Sequence, residues 1–240
     1  MSCGEYESYI FKDEEMKLLL AGLGIKQLYG ILDSDGSEEI TRESKNRVLL
    51  SLYQKEVIDF SDGEISIRPG VSDLFRTLLE SRECVSVHVR GQDMPVRCSY
   101  VSNGWVVMME RCQRRKGALK LSFWTQAQWI LFLESLMGEI VSECEQVLKN
   151  FEKEETAYRN DAEEYFRSEN VAAVFTRQDS RKMKIRQRIL IKESGLETCM
   201  VFQNANGCLW KPYKQKELMR AVAAWMEGKD GTGGYLYSGD

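Results

Sequence analysis

One succession of elements occurs twice in this chain. From Cys84 the hydrophobic period becomes two, four short strands follow, and an amphipathic helix closes the run. From Val171 the same order starts again. Residues 84–140 and 171–227 both read strand, strand, strand, strand, helix. An offset of about 90 residues sets Met94 against Met183, Arg97 against Arg186, Gly117 against Gly207, and the helix start Gln126 against Gln215. The match lies in order and spacing, because identity is low. Each antiparallel meander can bury one face under its own helix, and two copies can join edge to edge into a broad sheet with a pseudo-two-fold axis. The helices then cover one face, and the opposite face or the edges stay available.

In the first block the strands are Cys84–Val89, Pro95–Val101, Trp105–Cys112 and Ala118–Trp124. Asn103-Gly104 and the basic stretch Gln113–Gly117 supply turns. Thr125 and Gln128 have capping-box spacing, and a helix follows with Trp129, Leu133, Leu136, Met137, Ile140, Val141, Cys144, Leu148 and Phe151 on its apolar face. Helical spacing continues through Tyr158, Ala162, Tyr165 and Phe166. One helix over 126–168 would span about 65 Å, longer than a compact domain of this size, so a break is expected between Lys149 and Thr156. The second block has strands Val171–Thr176, Lys182–Lys192, Leu196–Gln203 and Cys208–Lys211, then a helix from Lys214 to Met226.

The N-terminal third is different. Asp13 caps a helix carrying Met16, Leu19, Leu20 and Leu23, ended by Gly22 and Gly24. A second helix starts at Thr41 or Ser44 with Val48, Leu49, Leu52 and Tyr53 as its apolar face. Val57–Phe60 and Glu64–Ile67 flank an Asp62-Gly63 turn. Pro69 and Ser72 then open a third helix, with Val71, Leu74, Phe75, Leu78 and Leu79 at helical spacing. The expected class is α+β: a mainly antiparallel sheet from two pseudo-symmetric ββββα repeats, with a small helical N-terminal unit containing one hairpin. The expected divisions are 1–82, 83–168 with the long helix, 169–227, and a disordered glycine-rich tail, 228–240.

Composition removes several classes of function. The 240 residues carry 33 Lys+Arg and 37 Asp+Glu, a net charge of -4, with 43% hydrophobic residues, the balance of a globular chain. No apolar run is long enough to span a membrane. Met1–Tyr9 lacks the basic and apolar regions of a signal peptide, and the seven cysteines, odd in number and without a C-x-x-C pair, read as reduced thiols in a cytoplasmic protein. The single histidine, His88, sits within a strand, and a Ser-His-Asp triad or mixed Cys/His zinc site would have to use it. Asp33-x-Asp35-Gly36 is no calcium loop, because the twelfth position holds Arg42. No glycine-rich phosphate loop, nucleophile elbow or catalytic carboxylate pair is visible, and no cofactor or metal is implied.

Surface charge gives the remaining candidates. Lys182, Lys184, Arg186 and Arg188 alternate along one strand and would share a face. Residues 176–192 hold seven Lys+Arg and one Asp, a net of +6, whereas 134–170 hold eleven Asp+Glu and four Lys+Arg, a net of -7. The two segments can compensate each other, the stripe can face solvent or an acidic protein, or it can contact phosphates. An overall pI near 5.4 weighs against nucleic acid. The turn residues Arg114, Arg115 and Lys116, with Gly117, are a second candidate contact zone. Trp124, Trp129 and Trp225 read as core, and Trp124 becomes a partner anchor if exposed. The helix–hairpin–helix of 41–81 resembles a winged DNA-binding unit, but its hairpin tip, Asp59–Glu64, is acidic.

Tyr9–Gly24, with its leucine-rich helix ending in Leu-Gly, is similar to the start of the secretion-associated EspG family. Leu49–Ile67 resembles that family's short helix followed by Val/Ile-Asp-x-Asp-Gly, and Cys84–Val89 its first sheet strand. The resemblance could extend over residues 9–227. It implies a non-enzymatic, cytoplasmic type VII secretion chaperone that keeps a helical secreted protein soluble before export. The family typically has a longer substrate-contacting loop between its second and third strands, where this chain has the tight Ser102-Asn103-Gly104 turn. The other expectations are a nucleic-acid-associated regulator using the 182–188 stripe and, third, a hydrolase or transferase without a recognisable motif.

Overall fold

Alternating apolar residues dominate the chain from residue 83 onward, and they form a sheet. In this computed structural model the described residues are 8–26, 28–29, 42–61, 63–90, 97–112, 115–141, 164–166, 170–182, 184–194, 197–204 and 207–229. The N-terminal elements are β1 (Ser8–Lys12), α1 (Asp13–Gly22), α2 (Arg42–Gln54), β2 (Ile58–Ser61), β3 (Glu64–Ile67) and α3 (Pro69–Glu80). The first repeat is β4 (Glu83–Val89), β5 (Arg97–Ser102), β6 (Trp105–Arg111), β7 (Ala118–Thr125) and α4 (Gln126–Ile140). The second is β8 (Val171–Asp179), β9 (Ile185–Ser194), β10 (Glu197–Asn204), β11 (Gly207–Pro212) and α5 (Gln215–Met226). Among the described residues nine strands form one sheet in the order β1-β7-β6-β5-β4-β8-β9-β10-β11, and β2-β3 is a separate hairpin. The order of the eight repeat strands is palindromic about β4 and β8, as the doubled ββββα pattern predicts.

Two boundaries differ from the sequence reading. Residues 8–12, ahead of the first element expected at Asp13, are a strand: β1 pairs antiparallel with β7, Ser8 opposite Ser122 and Lys12 opposite Ala118. Its driving force is Phe11, fully buried and edge-on to Phe75 at 5.9 Å. The basic strand begins at Ile185, not Lys182, because Ser180 and Arg181 are held elsewhere. Ser180 Oγ donates to the Ser81 carbonyl (2.8 Å), and Arg181 Nη2 donates to the Leu78 and Leu79 carbonyls at the end of α3 (2.9 and 3.2 Å). A cation at a helix C-terminus also meets the favourable end of its dipole. The Asp33–Glu39 loop, the expected break between Lys149 and Thr156, and the tail beyond Lys229 lie outside the described residues.

The chain divides into two compact units. The first comprises Met1–Cys84, Cys98–Trp124 and Ser180–Met183. Its core joins Phe11, Met16 and Leu20 with Leu52 of α2, Leu74, Phe75 and Leu78 of α3, and Tyr100, Val107 and Leu121 of the strands. Leu79, expected on the buried face of α3, is instead 39% exposed. One charge is buried here. Glu15 is 1% exposed and accepts from Ser51 Oγ (2.7 Å), the Lys12 backbone N–H (2.7 Å) and Lys55 Nζ (2.5 Å). These contacts tie the β1–α1 junction to α2.

The second unit comprises Val85–Arg97, Thr125–Asp179 and Lys184–Asp240. The Thr125–Gln128 capping box starts α4 as expected. Phe175, Ile189 and Phe202 lie in register on one face of the strands, and Val174, Leu190 and Val201 on the other; all six are buried. The second face packs on Tyr165. The opposite face of β8–β10 is therefore not the open platform the repeat suggested. Arg188 belongs to this covered face. It is 2% exposed, its guanidinium sits 5.5 Å from the Tyr165 ring centroid, and Nη1 donates to the Tyr165 hydroxyl (3.3 Å). That hydroxyl donates to Gln203 Oε1 (2.8 Å).

Burial would raise the pKa of Glu15, but the donors from Lys55, Lys12 and Ser51 outweigh it and hold the carboxyl below its ordinary 4.5. The resulting stability is present above pH 4.5 and is lost as pH falls through the lower folded value. Glu15→Gln should cost about 1–3 kcal/mol in urea unfolding at pH 7 and flatten the acid limb expected of the native chain below pH 4.5. An unchanged acid limb would contradict the assignment. Tyr165→Phe removes the hydroxyl between Arg188 and Gln203, and should cost about 1–3 kcal/mol in the same measurement.

Candidate partner-binding site

The β5–β6 connection is as short as a hairpin allows. Asn103 and Gly104 both have left-handed backbone, φ 49° and 80°, and two such residues in succession match the twist of the flanking strands. Glu80, the last residue of α3, locks the turn: its Oε2 accepts from Ser102 Oγ (3.1 Å) and Asn103 Nδ2 (2.8 Å). A carboxylate at a helix C-terminus opposes the dipole, and these two donors offset that cost.

Strand alternation decides what stands beside the turn. Trp105, Val107 and Met109 share a face of β6, and Leu119, Leu121 and Phe123 share a face of β7. Val107, Met109, Leu119 and Leu121 lie in the core with the apolar residues of α3. Trp105 begins its row and remains 44% exposed. Its indole stacks on Phe123, centroids 4.8 Å apart and planes 10° from parallel. The outer side of α3 completes a hollow of about 360 Å³ lined by Asp73, Arg76, Thr77 and Glu80, with Ser102, Asn103, Trp105 and Phe123 opposite. Arg76 is paired with Asp73 across one helical turn, and Thr77 Oγ1 donates to the Asp73 carbonyl (3.0 Å). The hollow thus joins a rigid aromatic platform to two carboxylates and one guanidinium.

The residues singled out from sequence lie elsewhere. Arg115 and Lys116 are exposed in the β6–β7 turn, at the opposite end of that hairpin from Trp105 and Phe123. Arg114 lies outside the described residues. At the start of β7, Asp13 N–H donates to the Gly117 carbonyl (3.0 Å), and Arg111 pairs with the Asp13 carboxylate (3.3 Å). Lys182, Lys184 and Arg186 are exposed, but only Arg186 is on β9, 3.8 Å from Asp179. The four-residue stripe is not one surface, because Lys182 is in the preceding turn and Arg188 is buried under Tyr165. That last contact is made by an aromatic ring and hydroxyl, not by a carboxylate of the acidic segment. Trp124 is 6% exposed and, like Trp129 and Trp225, is buried.

The hollow lies away from the charge runs that stand out in the sequence. Its signal in sequence is the apolar row 105/107/109, whose first member follows the turn directly. Among the described residues no group of three or more His, Cys, Asp and Glu is arranged to hold a metal ion. Cys84, Cys98 and Cys199 are buried, and burial pushes the Cys199 thiol up to about 12, which keeps it protonated. No helix among the described residues is long and apolar enough to cross a membrane.

No protein-family model matches the sequence, and no curated protein matches it. A solved structure does match the fold: the Mycobacterium tuberculosis type VII secretion system chaperone EspG5, in its complex with the PE25-PPE41 dimer. The TM-score is 0.51 at 9% sequence identity, and the match covers 92% of this chain and 95% of that one. At that identity the likeness is one of architecture, and it runs nearly end to end: this chain has an EspG-like fold.

Proposed function

We propose that this chain is a non-enzymatic chaperone or adaptor that holds a helical secreted protein before export through a type VII secretion system, with the hollow between α3 and the 102–104 turn as the contact. The observation that carries the reading is the extent of the fold match to a type VII secretion chaperone, 92% of this chain and 95% of that one. Where that family is expected to use a long loop, this chain has a locked turn. The apolar contact then falls to Trp105, a type of residue that dominates binding energetics when a partner buries it. Its stacking on Phe123 fixes the indole before binding, so little side-chain entropy is lost on capture.

Trp105→Ala should leave the fold intact, because the side chain is half exposed, and should weaken partner capture at least tenfold, the usual loss for a central aromatic anchor. A pull-down from the source cell with native and variant chains, read by mass spectrometry, measures this. Recovery of a helical export protein by the native chain alone is the expected result. Recovery of nucleic acid or metabolites without such a protein would overturn the reading.

The alternative, phosphate contact through the basic stripe, retains Lys182, Lys184 and Arg186 as exposed cations. It requires nucleic-acid binding that falls steeply with salt and disappears in the Lys184→Glu/Arg186→Glu double variant. On the chaperone reading, that double variant captures the export protein as the native chain does.

A further inference from the structure

We infer that the hollow beside Trp105 is a receptor for a guanidinium side chain, so that the bound protein presents an arginine there. This rests on the reading above and specifies the chemistry of that contact.

Three features of the hollow point to one ligand class. Phe123 covers one face of the Trp105 indole in a near-parallel stack, and the residue keeps 44% of its surface open. An open indole attracts a cation, and a planar guanidinium can lie flat on it. Two carboxylates, Asp73 and Glu80, stand on the same rim, against the single cation Arg76. Glu80 is also the terminal residue of α3, where the partial negative charge of the helix end adds to its own. A carboxylate beside an aromatic face is the combination a guanidinium satisfies best, by stacking and by paired hydrogen bonds.

Arg76 is the resident competitor. It is bound to Asp73 across one turn, but both side chains are more than half exposed, and an exposed pair of this kind is weak. An incoming guanidinium can therefore displace it from Asp73. An apolar tip alone would leave the two carboxylates without gain, and an acidic tip would be repelled by both.

The test uses the full chain and small probes, so that it does not depend on identifying the partner. The indole N–H resonance of Trp105, assigned by its disappearance in Trp105→Phe, is followed by two-dimensional NMR during titration. The probes are N-acetyl-arginine amide, N-acetyl-lysine amide and N-acetyl-leucine amide. The arginine probe should shift that resonance saturably and more tightly than either of the others. Glu80→Gln keeps an acceptor for Ser102 and Asn103 but removes the charge, and should weaken the arginine probe by roughly fivefold. Arg76→Ala removes the competitor and should tighten it. If Glu80→Gln disturbs the fold, Asp73→Asn serves, with the same expected direction. Equal response to leucine or lysine, or an arginine response unchanged by Glu80→Gln and Arg76→Ala, overturns the inference. Failure of the probe with Trp105-dependent capture intact removes the guanidinium assignment alone. Capture that ignores Trp105 overturns the chaperone contact itself.

Discussion

The packing of α3 against β5–β7 governs the first unit and the site it carries. Val71, Leu74, Phe75 and Leu78 are buried along one side of the helix. At about 1.5–3 kcal/mol for each fully buried side chain, this stripe is a large fraction of the net stability of a domain. Once the stripe is seated, the rest of the helix surface has no freedom. Glu80 must end beside the 102–104 turn, the Leu78 and Leu79 carbonyls must meet Arg181, and Asp73 and Arg76 must face outward. The hollow is the outward side of the contact that builds the core.

That packing was legible because both partners obey their periods. The residues of α3 recur at helical spacing after a proline start, and β5–β7 alternate between turns marked by Asn103-Gly104 and Gly117. The doubled ββββα order was legible for the same reason. What escaped were features in which a short local signal competes with a stronger neighbour. Tyr9 and Phe11 give β1 only two alternating apolar residues before the unmistakable helix that starts at Asp13, and a pairing with β7 cannot be seen locally. The alternation Lys182, Lys184, Arg186, Arg188 is real in sequence. Its first member was taken by a turn held on Ser81 and the end of α3, and its last was drawn under Tyr165.

The aromatic residues show why the site was harder to read than the fold. Trp105 and Trp124 both sit on strands, one at the start of β6 and one near the end of β7. Strand period assigns each a face, but not whether that face is covered at that level. Trp105 stays half exposed on the hollow that α3 flanks, whereas Trp124 is buried. Exposure is thus a property of tertiary cover, which no local pattern records. The fold match at 9% identity makes the same point at larger scale: the arrangement of apolar positions persists where the letters do not.

An indole stacked on a phenyl ring beside two helix carboxylates is built here on an architecture similar to that of a type VII secretion chaperone. The 102–104 turn, held by Glu80, favours preorganisation over adaptability. The direct test of this account is hydrogen exchange on the chain alone and on its complex with the captured protein, resolved by peptide. The account predicts slowed exchange in complex at the end of α3 and through residues 102–105, with 182–188 unchanged. Protection confined to the basic segment, or none at the turn, would contradict it.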